Sequence, residues 1–201
     1  MTLFEKGNFQ PIDTDFLSQG MEALQPLKDF QDRKDLWDTD TVINEIRDAF
    51  VAQVLDYDLI NKEKHGFDAK QSNTGIFLEI KNCSYSAKSF GGTWNDTTIE
   101  KARAFQTNRV FTALGIWRGA TDLLCIIYGQ NKGLGEYLEE KVNYFKKGNT
   151  VRSTQSISAT CMLEKYDFKI IPGAGYKRPD IARLLISKNK NFNKFFQGNK
   201  V

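Results

Sequence analysis

Asp68, Glu79 and Lys81 have the types and spacing for chemistry on a phosphate: ten residues separate the two acids, and the lysine lies two beyond the second. In Ile76-Phe77-Leu78-Glu79-Ile80-Lys81, strand alternation points Ile76, Leu78 and Ile80 one way and Phe77, Glu79 and Lys81 the other. The turn-rich Gln71-Ser72-Asn73-Thr74-Gly75 precedes this strand and follows a shorter strand candidate over 66–70, which predicts a β-hairpin. A turn centred between Asn73 and Thr74 sets Asp68 across from Glu79, where opposed β carbons lie roughly 4.5 to 5.5 Å apart. Two carboxylates that close repel unless a positive charge joins them, and a divalent metal supplies it. Mg²⁺ takes hard oxygen ligands together with water and substrate phosphates, and this stretch offers Asp68, Glu79 and the carbonyl of Ile80. The chemistry would be hydrolysis of a phosphodiester, with the metal polarising the phosphate and activating a water that Lys81 orients, or with Lys81 stabilising the developing charge.

The same string on an exposed strand would be a same-face surface pair of acid and base. Three features favour the catalytic reading: the turn-centred hairpin, the apolar alternate face, and the Gly-rich loop leading into a helix.

These residues need a scaffold. At 201 residues the chain is sized for one domain with a substantial core, and it shows no repeat, low-complexity tract or linker. Periodicity predicts a peripheral helix over 14–30. A stronger helix over 41–56 follows, with Ile43, Ile46, Phe50 and Val54 as its sheet-facing stripe and N-cap side chains among 38–41. After the hairpin come a long helix over 97–117, a buried strand over 122–128 and a helix over 135–147. Strands over 156–163 and 166–171 and a short helix opened by Pro179 complete the series. This order predicts an α/β fold, a central mixed β-sheet flanked by helices. We expect a single domain over 1–201, with a catalytic core at about 41–130 and a part at 150–201 that contributes to DNA recognition.

The pattern Asp68, ten residues, then Glu79-Ile80-Lys81 in an apolar strand resembles the PD-(D/E)xK nuclease superfamily, most closely its type II restriction endonucleases. The stretch Gly91-Gly92-Thr93-Trp94-Asn95-Asp96-Thr97-Thr98-Ile99-Glu100-Lys101-Ala102 is similar to segments of such enzymes in which a loop leads into a helix over the sheet. The resemblance spans about 45–128. It implies a sheet of four or more strands flanked by helices, Mg²⁺ dependence, double-stranded DNA as substrate, and a homodimer that cuts both strands of a short palindrome. Phe67 stands where the motif's proline would be, and Glu45 or Asp48 stands where the family often adds an acid from the preceding helix. Alternatives are a structure-directed repair, recombination or phage nuclease of the same superfamily, and a catalytically silent DNA-binding module.

Net charge is +3 from 28 basic and 25 acidic residues, which excludes a histone-like polycation, but the segment after residue 176 is basic with Asp180 as its one acid. Lys177 and Arg178 there, with Asn95 and Lys101 near the Gly-rich loop, are the candidate DNA contacts. Asn95, Asp96, Thr97, Thr98, Glu100 and Lys101 are candidates to read bases or phosphates, but Thr97, Thr98 and Glu100 make equal sense as helix N-terminal chemistry. His65 is a candidate proton shuttle or a bystander, and Trp94 a base-stacking platform or core. Gly129, Gly133 and Gly135 lack a Walker or GxGxxG pattern, so no nucleotide cofactor is expected. Cys83, Cys125 and Cys161 form no CxxC pair and read as free thiols. With no apolar span and no leader-like start, we expect a cytoplasmic protein without a membrane partner.

Overall fold

A computed structural model describes residues 42–60, 67–95, 97–119, 121–130, 132–148 and 154–197, with scattered positions between 19 and 34. Chain contacts define two compact units, Met1–Val42 and Ile43–Val201. In the first, the described positions from 19 to 34 are helical, and Gln25 Nε2 donates to Asp29 Oδ1 at 2.7 Å. The rest of the predicted helix over 14–30, the cap at 38–41, His65 and Asp96 lie outside the described residues, as does the side chain of Glu45.

The second unit is α/β. Its described strands are β1 (Asp58–Leu59), β2 (Ala69–Gln71), β3 (Ile76–Ser84), β4 (Gly91–Trp94), β5 (Val110–Arg118), β6 (Asp122–Gly129), β7 (Gln155–Ser158) and β8 (Lys169–Pro172). The helices are α1 (Val42–Val54), α2 (Ile99–Ala104), α3 (Lys132–Lys146), α4 (Ala159–Lys165) and α5 (Arg178–Lys188), followed by a 3₁₀ helix at Lys190–Phe195. Among the described residues the main sheet has six strands in the order β1-β2-β3-β5-β6-β8, and β4 pairs with β7 apart from it. Only β3 and β5 run parallel in that sheet, so it is mixed, as predicted.

Helices cover both faces. On one, Val51 and Ala52 of α1 pack with Leu78 and Ile80 of β3 and with Ala113, Trp117 and Ile126. On the other, Phe105, Leu114, Ile127, Leu134, Leu138, Ile181 and Leu185 form the larger core. Burying a sheet on both faces removes the polar face that would mark its strands in the sequence.

That explains the main departure from expectation. The segment read as one helix over 97–117 is the short α2, a turn, and then β5, the partner of β3. In β5, Val110-Phe111-Thr112-Ala113-Leu114-Gly115-Ile116-Trp117 is apolar apart from the buried Thr112 and enriched in β-branched and aromatic residues, which suits a central strand buried on both sides. The strand expected over 156–163 also divides, into β7 and α4: Ser158 Oγ accepts from Cys161 N at 3.2 Å and caps the new helix.

The sheet-facing stripe of α1 differs from the expected one. Ile43 is 46% exposed, Phe50 38% and Val54 39%, while Asp48, Val51, Ala52 and Leu55 carry the contacts to the sheet. Both sets follow the three- and four-residue steps of one helix face, so periodicity alone does not choose between them. The helix over 135–147 starts three residues earlier than expected, and the last strand and helix, β8 and α5, fall close to the expected places.

The β2–β3 hairpin pairs Ala69 with Leu78, Lys70 with Phe77 and Gln71 with Ile76. Its loop spans Ser72 to Gly75, and Gly75 takes a left-handed φ of 66° while its N–H closes on Gln71 O at 3.0 Å. The register is the one that a centre between Asn73 and Thr74 demands.

Candidate active site

The regular pairing ends at Ala69 and Leu78, and Asp68 lies one residue beyond it, near enough to Glu79 for the two carboxylates to repel. Asp68 N donates to Leu78 O at 3.0 Å, and the ladder ends there. Past its end, Ile80 N–H points to the edge that β2 no longer covers, and Asp68 Oδ2 accepts from it at 2.6 Å. The N–H and C=O of one strand residue face the same edge, so the Ile80 carbonyl is directed to this corner as well. The acid, the backbone of Ile80 and the start of the open edge thus come together because β2 is three residues long.

Glu79 is only 2% exposed, enclosed by β5 on one side and by α2 above. Lys81 Nζ donates to its Oε1 at 2.6 Å. Lys101, from the first turn of α2, donates to the same Oε1 at 3.0 Å and lies 2.9 Å from Oε2. No hydrogen bond satisfies Oε2 itself. A buried carboxylate oxygen without a hydrogen-bond donor is costly unless something else takes it.

Asp68 feels the same crowding. Burial, then the neighbouring Glu79 carboxylate, push its pKa from 3.8 up to about 6, against the opposing pull of Lys81, the Ile80 N–H and Lys101. Burial pulls the Lys81 ammonium down, but the carboxylates of Glu79, Asp68 and Asp48 outweigh it and hold it above the usual lysine range.

These features suit a divalent cation: two neighbouring carboxylates, one of them with a raised pKa, a carboxylate oxygen that accepts no hydrogen bond although the Lys101 ammonium lies 2.9 Å away, and a carbonyl at a strand edge. Among the described residues no cluster of three or more His, Cys, Asp or Glu side chains forms; the oxygens here that could hold a cation are those of Asp68, Glu79 and the Ile80 carbonyl, with solvent or substrate completing the set. Asp48 makes its hydrogen bond on the other face of β3, where its Oδ1 accepts from Asn82 Nδ2 at 2.7 Å.

No protein-family model matches the chain, and no curated protein matches it in sequence. The site is therefore read from its own geometry.

Two features of it were not among the expected catalytic parts. Lys101 was expected as a DNA contact, yet its ammonium reaches the acid at the centre of the site. Thr98 Oγ1 caps α2 by accepting from Lys101 N at 3.1 Å, and the Lys101 ammonium lies 5.6 Å from the centre of the Phe67 ring. Phe67, the residue in the place of the motif's proline, thus has a use: it packs against Phe77 and Phe105 and presents a face to that cation. The second feature is Gly92. A β carbon there would lie 2.9 Å from Lys81 Cγ, so the bare backbone of β4 is what lets the lysine stem pass.

The glycine that resembled part of a phosphate loop is structural. Gly135 lies in α3, where a β carbon would meet Ala102 O at 2.7 Å, so it allows α3 to press against α2, the helix that carries Lys101. Trp94 is 1% exposed and belongs to the core, which rules out a base-stacking platform. Asn95 is exposed and Thr97 buried. Lys177 is exposed at the start of α5, where its N–H donates to Asp180 Oδ2 at 3.2 Å. Arg178 instead donates to Phe195 O at 3.2 Å and lies over Phe196, tying down the 3₁₀ helix. Helix α5 meets the residue after β3: Tyr85 donates to Leu184 O at 3.1 Å, and Lys188 lies over the Tyr85 ring. The three cysteines are free thiols. Among the described residues no helix is long and apolar enough to cross a membrane.

Proposed function

We propose that the chain is a metal-dependent endonuclease acting on double-stranded DNA, with a site of the PD-(D/E)xK type in which Asp68 and Glu79 bind Mg²⁺ and Lys81 serves the hydrolysis. The observation that carries this reading is the convergence of Asp68, the Ile80 backbone and the Glu79–Lys81 pair at the end of the β2 ladder. A divalent cation bound there would draw charge from the scissile phosphate. Asp68 and Glu79 would hold it, with the Ile80 carbonyl as a third oxygen. Lys81 Nζ, fixed beside Glu79 and passing over Gly92, would donate to the attacking water or to a phosphate oxygen. The water oxygen forms the new bond to phosphorus, one bridging P–O bond breaks, and the departing sugar oxygen takes up a proton. Asn95, Lys101, Lys177 and Arg178 are the proposed DNA contacts. A two-fold dimer would place two such sites on a palindrome, as expected of a type II restriction endonuclease.

A second reading has one observation in its favour: two lysines already neutralise Glu79, as they would in a DNA-binding module that works without metal. The deciding experiment incubates the purified protein with a long sequenced DNA in Mg²⁺, with EDTA and Asp68→Ala as controls. Discrete fragments with common termini are expected, lost in both controls. A smear would indicate a structure-directed or nonspecific nuclease, and intact DNA with retained binding would establish the module.

A further inference from the structure

Glu79 carries more cation than a metal ligand needs. Lys81 and Lys101 both lie within 3 Å of its carboxylate, and with Asp68 the four charges sum to zero. A divalent cation arriving at this balanced cluster meets an ammonium alongside the one Glu79 oxygen that lacks a hydrogen bond. One lysine must give way. Lys81 is two residues from Glu79 on the same strand, and its stem runs so close to the Gly92 backbone that a β carbon there would lie 2.9 Å from its Cγ. Lys101 reaches across from α2, with its backbone held by the Thr98 cap and by the close contact of Gly135 with Ala102. Its side chain is 28% exposed, against 21% for Lys81, and its ammonium lies 5.6 Å from the centre of the Phe67 ring while it holds Glu79.

We propose that Lys101 is the exchangeable counter-ion of this site: it holds Glu79 when no divalent cation is bound, competes with the cation for that carboxylate, and passes to the substrate phosphate when the cation takes its place. The proposal rests on the nuclease reading and adds to it a switch of partner by one side chain. It also accounts for the cationic surplus that a binding-only module would otherwise explain. Lys101 is then a catalytic residue, because its ammonium meets the phosphate only in the loaded complex.

The test measures Ca²⁺ binding calorimetrically without DNA, alongside single-turnover cleavage in saturating Mg²⁺, for wild type, Lys101→Met, Lys101→Gln and Lys101→Arg. Methionine keeps the apolar stem over Phe67, and glutamine is the second neutral variant should methionine not fold by circular dichroism. The neutral variants are expected to bind Ca²⁺ about tenfold more tightly, because a like charge has left the metal's position, and to cleave at least about tenfold more slowly. Arginine should keep Ca²⁺ affinity near that of wild type. If wild type binds Ca²⁺ and cleaves, but the neutral variants bind it no more tightly, the counter-ion role falls and the nuclease reading stands. If wild type binds no divalent cation and leaves DNA intact, the nuclease reading fails and takes this proposal with it.

Discussion

Asp68 and Glu79 lie close together just past the last paired step of the β2–β3 ladder, and only one of them is held by lysine ammonium groups. Lys81 and Lys101 both donate to Glu79, whereas Asp68 has the Ile80 N–H at 2.6 Å. The pair is therefore asymmetric before any cation arrives. Asp68 is the acid whose charge is poorly compensated, and its raised pKa is the consequence.

Replacing Asp68 should separate function from stability. In Asp68→Asn the amide oxygen can still accept from Ile80 N–H, and the repulsion with Glu79 is gone. We expect cleavage to fall by about two orders of magnitude or more. The melting temperature at neutral pH without divalent cations should equal or exceed that of wild type, as is common where a functional site stores unfavourable charge. A calorimetric scan and a cleavage assay check both halves. Wild-type cleavage by the variant would remove Asp68 from the mechanism.

The same acid sets a pH dependence for the metal-free protein. Its folded pKa of about 6 lies above its ordinary 3.8, so between these values the folded state binds more protons than the unfolded state. By linkage, the Asp68 contribution makes stability fall as pH rises from about 4 to above 6, and leaves it level beyond. Denaturant titrations across this range should show that loss in wild type with EDTA, and Asp68→Asn should lack it. Equal slopes in the two proteins would show that Asp68 is ionised at its ordinary pKa.

The hairpin was legible because its signals are local, a Gly-terminated turn and alternating apolar residues, which fix the pairing from Ala69–Leu78 to Gln71–Ile76. The mixed sheet was legible as a class, but not the order of its strands. Strand β5 was hidden because it is buried on both faces and lacks the alternation that identifies β3. The sheet-facing side of α1 was obscured by two competing stripes, of which the one ending in Leu55 also carries Asp48. Lys101 could not be assigned to Glu79 from spacing, since 22 residues and a change of element separate them. Gly92 gave a composition signal, the Gly91-Gly92 pair, but only the approach of Lys81 shows what the missing side chain permits.

Gly92→Ala tests that approach. Its β carbon would lie 2.9 Å from Lys81 Cγ, 3.0 Å from Lys81 Cβ and 3.2 Å from Trp94 Cη2. The buried indole has little room to move, so the lysine stem must shift. We expect a loss of about 1–3 kcal/mol in stability from overpacking. Cleavage should slow in variant protein that is still fully folded, because Lys81 Nζ leaves its place beside Glu79. Unchanged cleavage at full folding would show that Lys81 tolerates displacement, which its assigned role forbids.

Asn82 provides the contrasting case, next to Lys81 in sequence but on the opposite face of β3. Its Nδ2 donates to Asp48 Oδ1 at 2.7 Å, and its Oδ1 accepts from Trp117 Nε1 at 2.7 Å. Gly115 leaves room for this bridge, since a β carbon there would come within 2.7 Å of Trp117 Nε1 and 2.8 Å of Asn82 Oδ1. Asn82→Ala removes both bonds and leaves the indole N–H of a residue 2% exposed without that acceptor. The expected cost is about 1–3 kcal/mol, since an unsatisfied buried donor retains its desolvation penalty. Cleavage measured well below the melting temperature should stay within a few-fold of wild type, because Asp68, Glu79 and Lys81 keep their contacts on the other side of the strand. Urea unfolding monitored by tryptophan fluorescence reads the first effect, and single-turnover cleavage the second. A collapse of cleavage with stability intact would move Asp48 and Asn82 into the catalytic machinery and restore the helix acid that the superfamily resemblance implies.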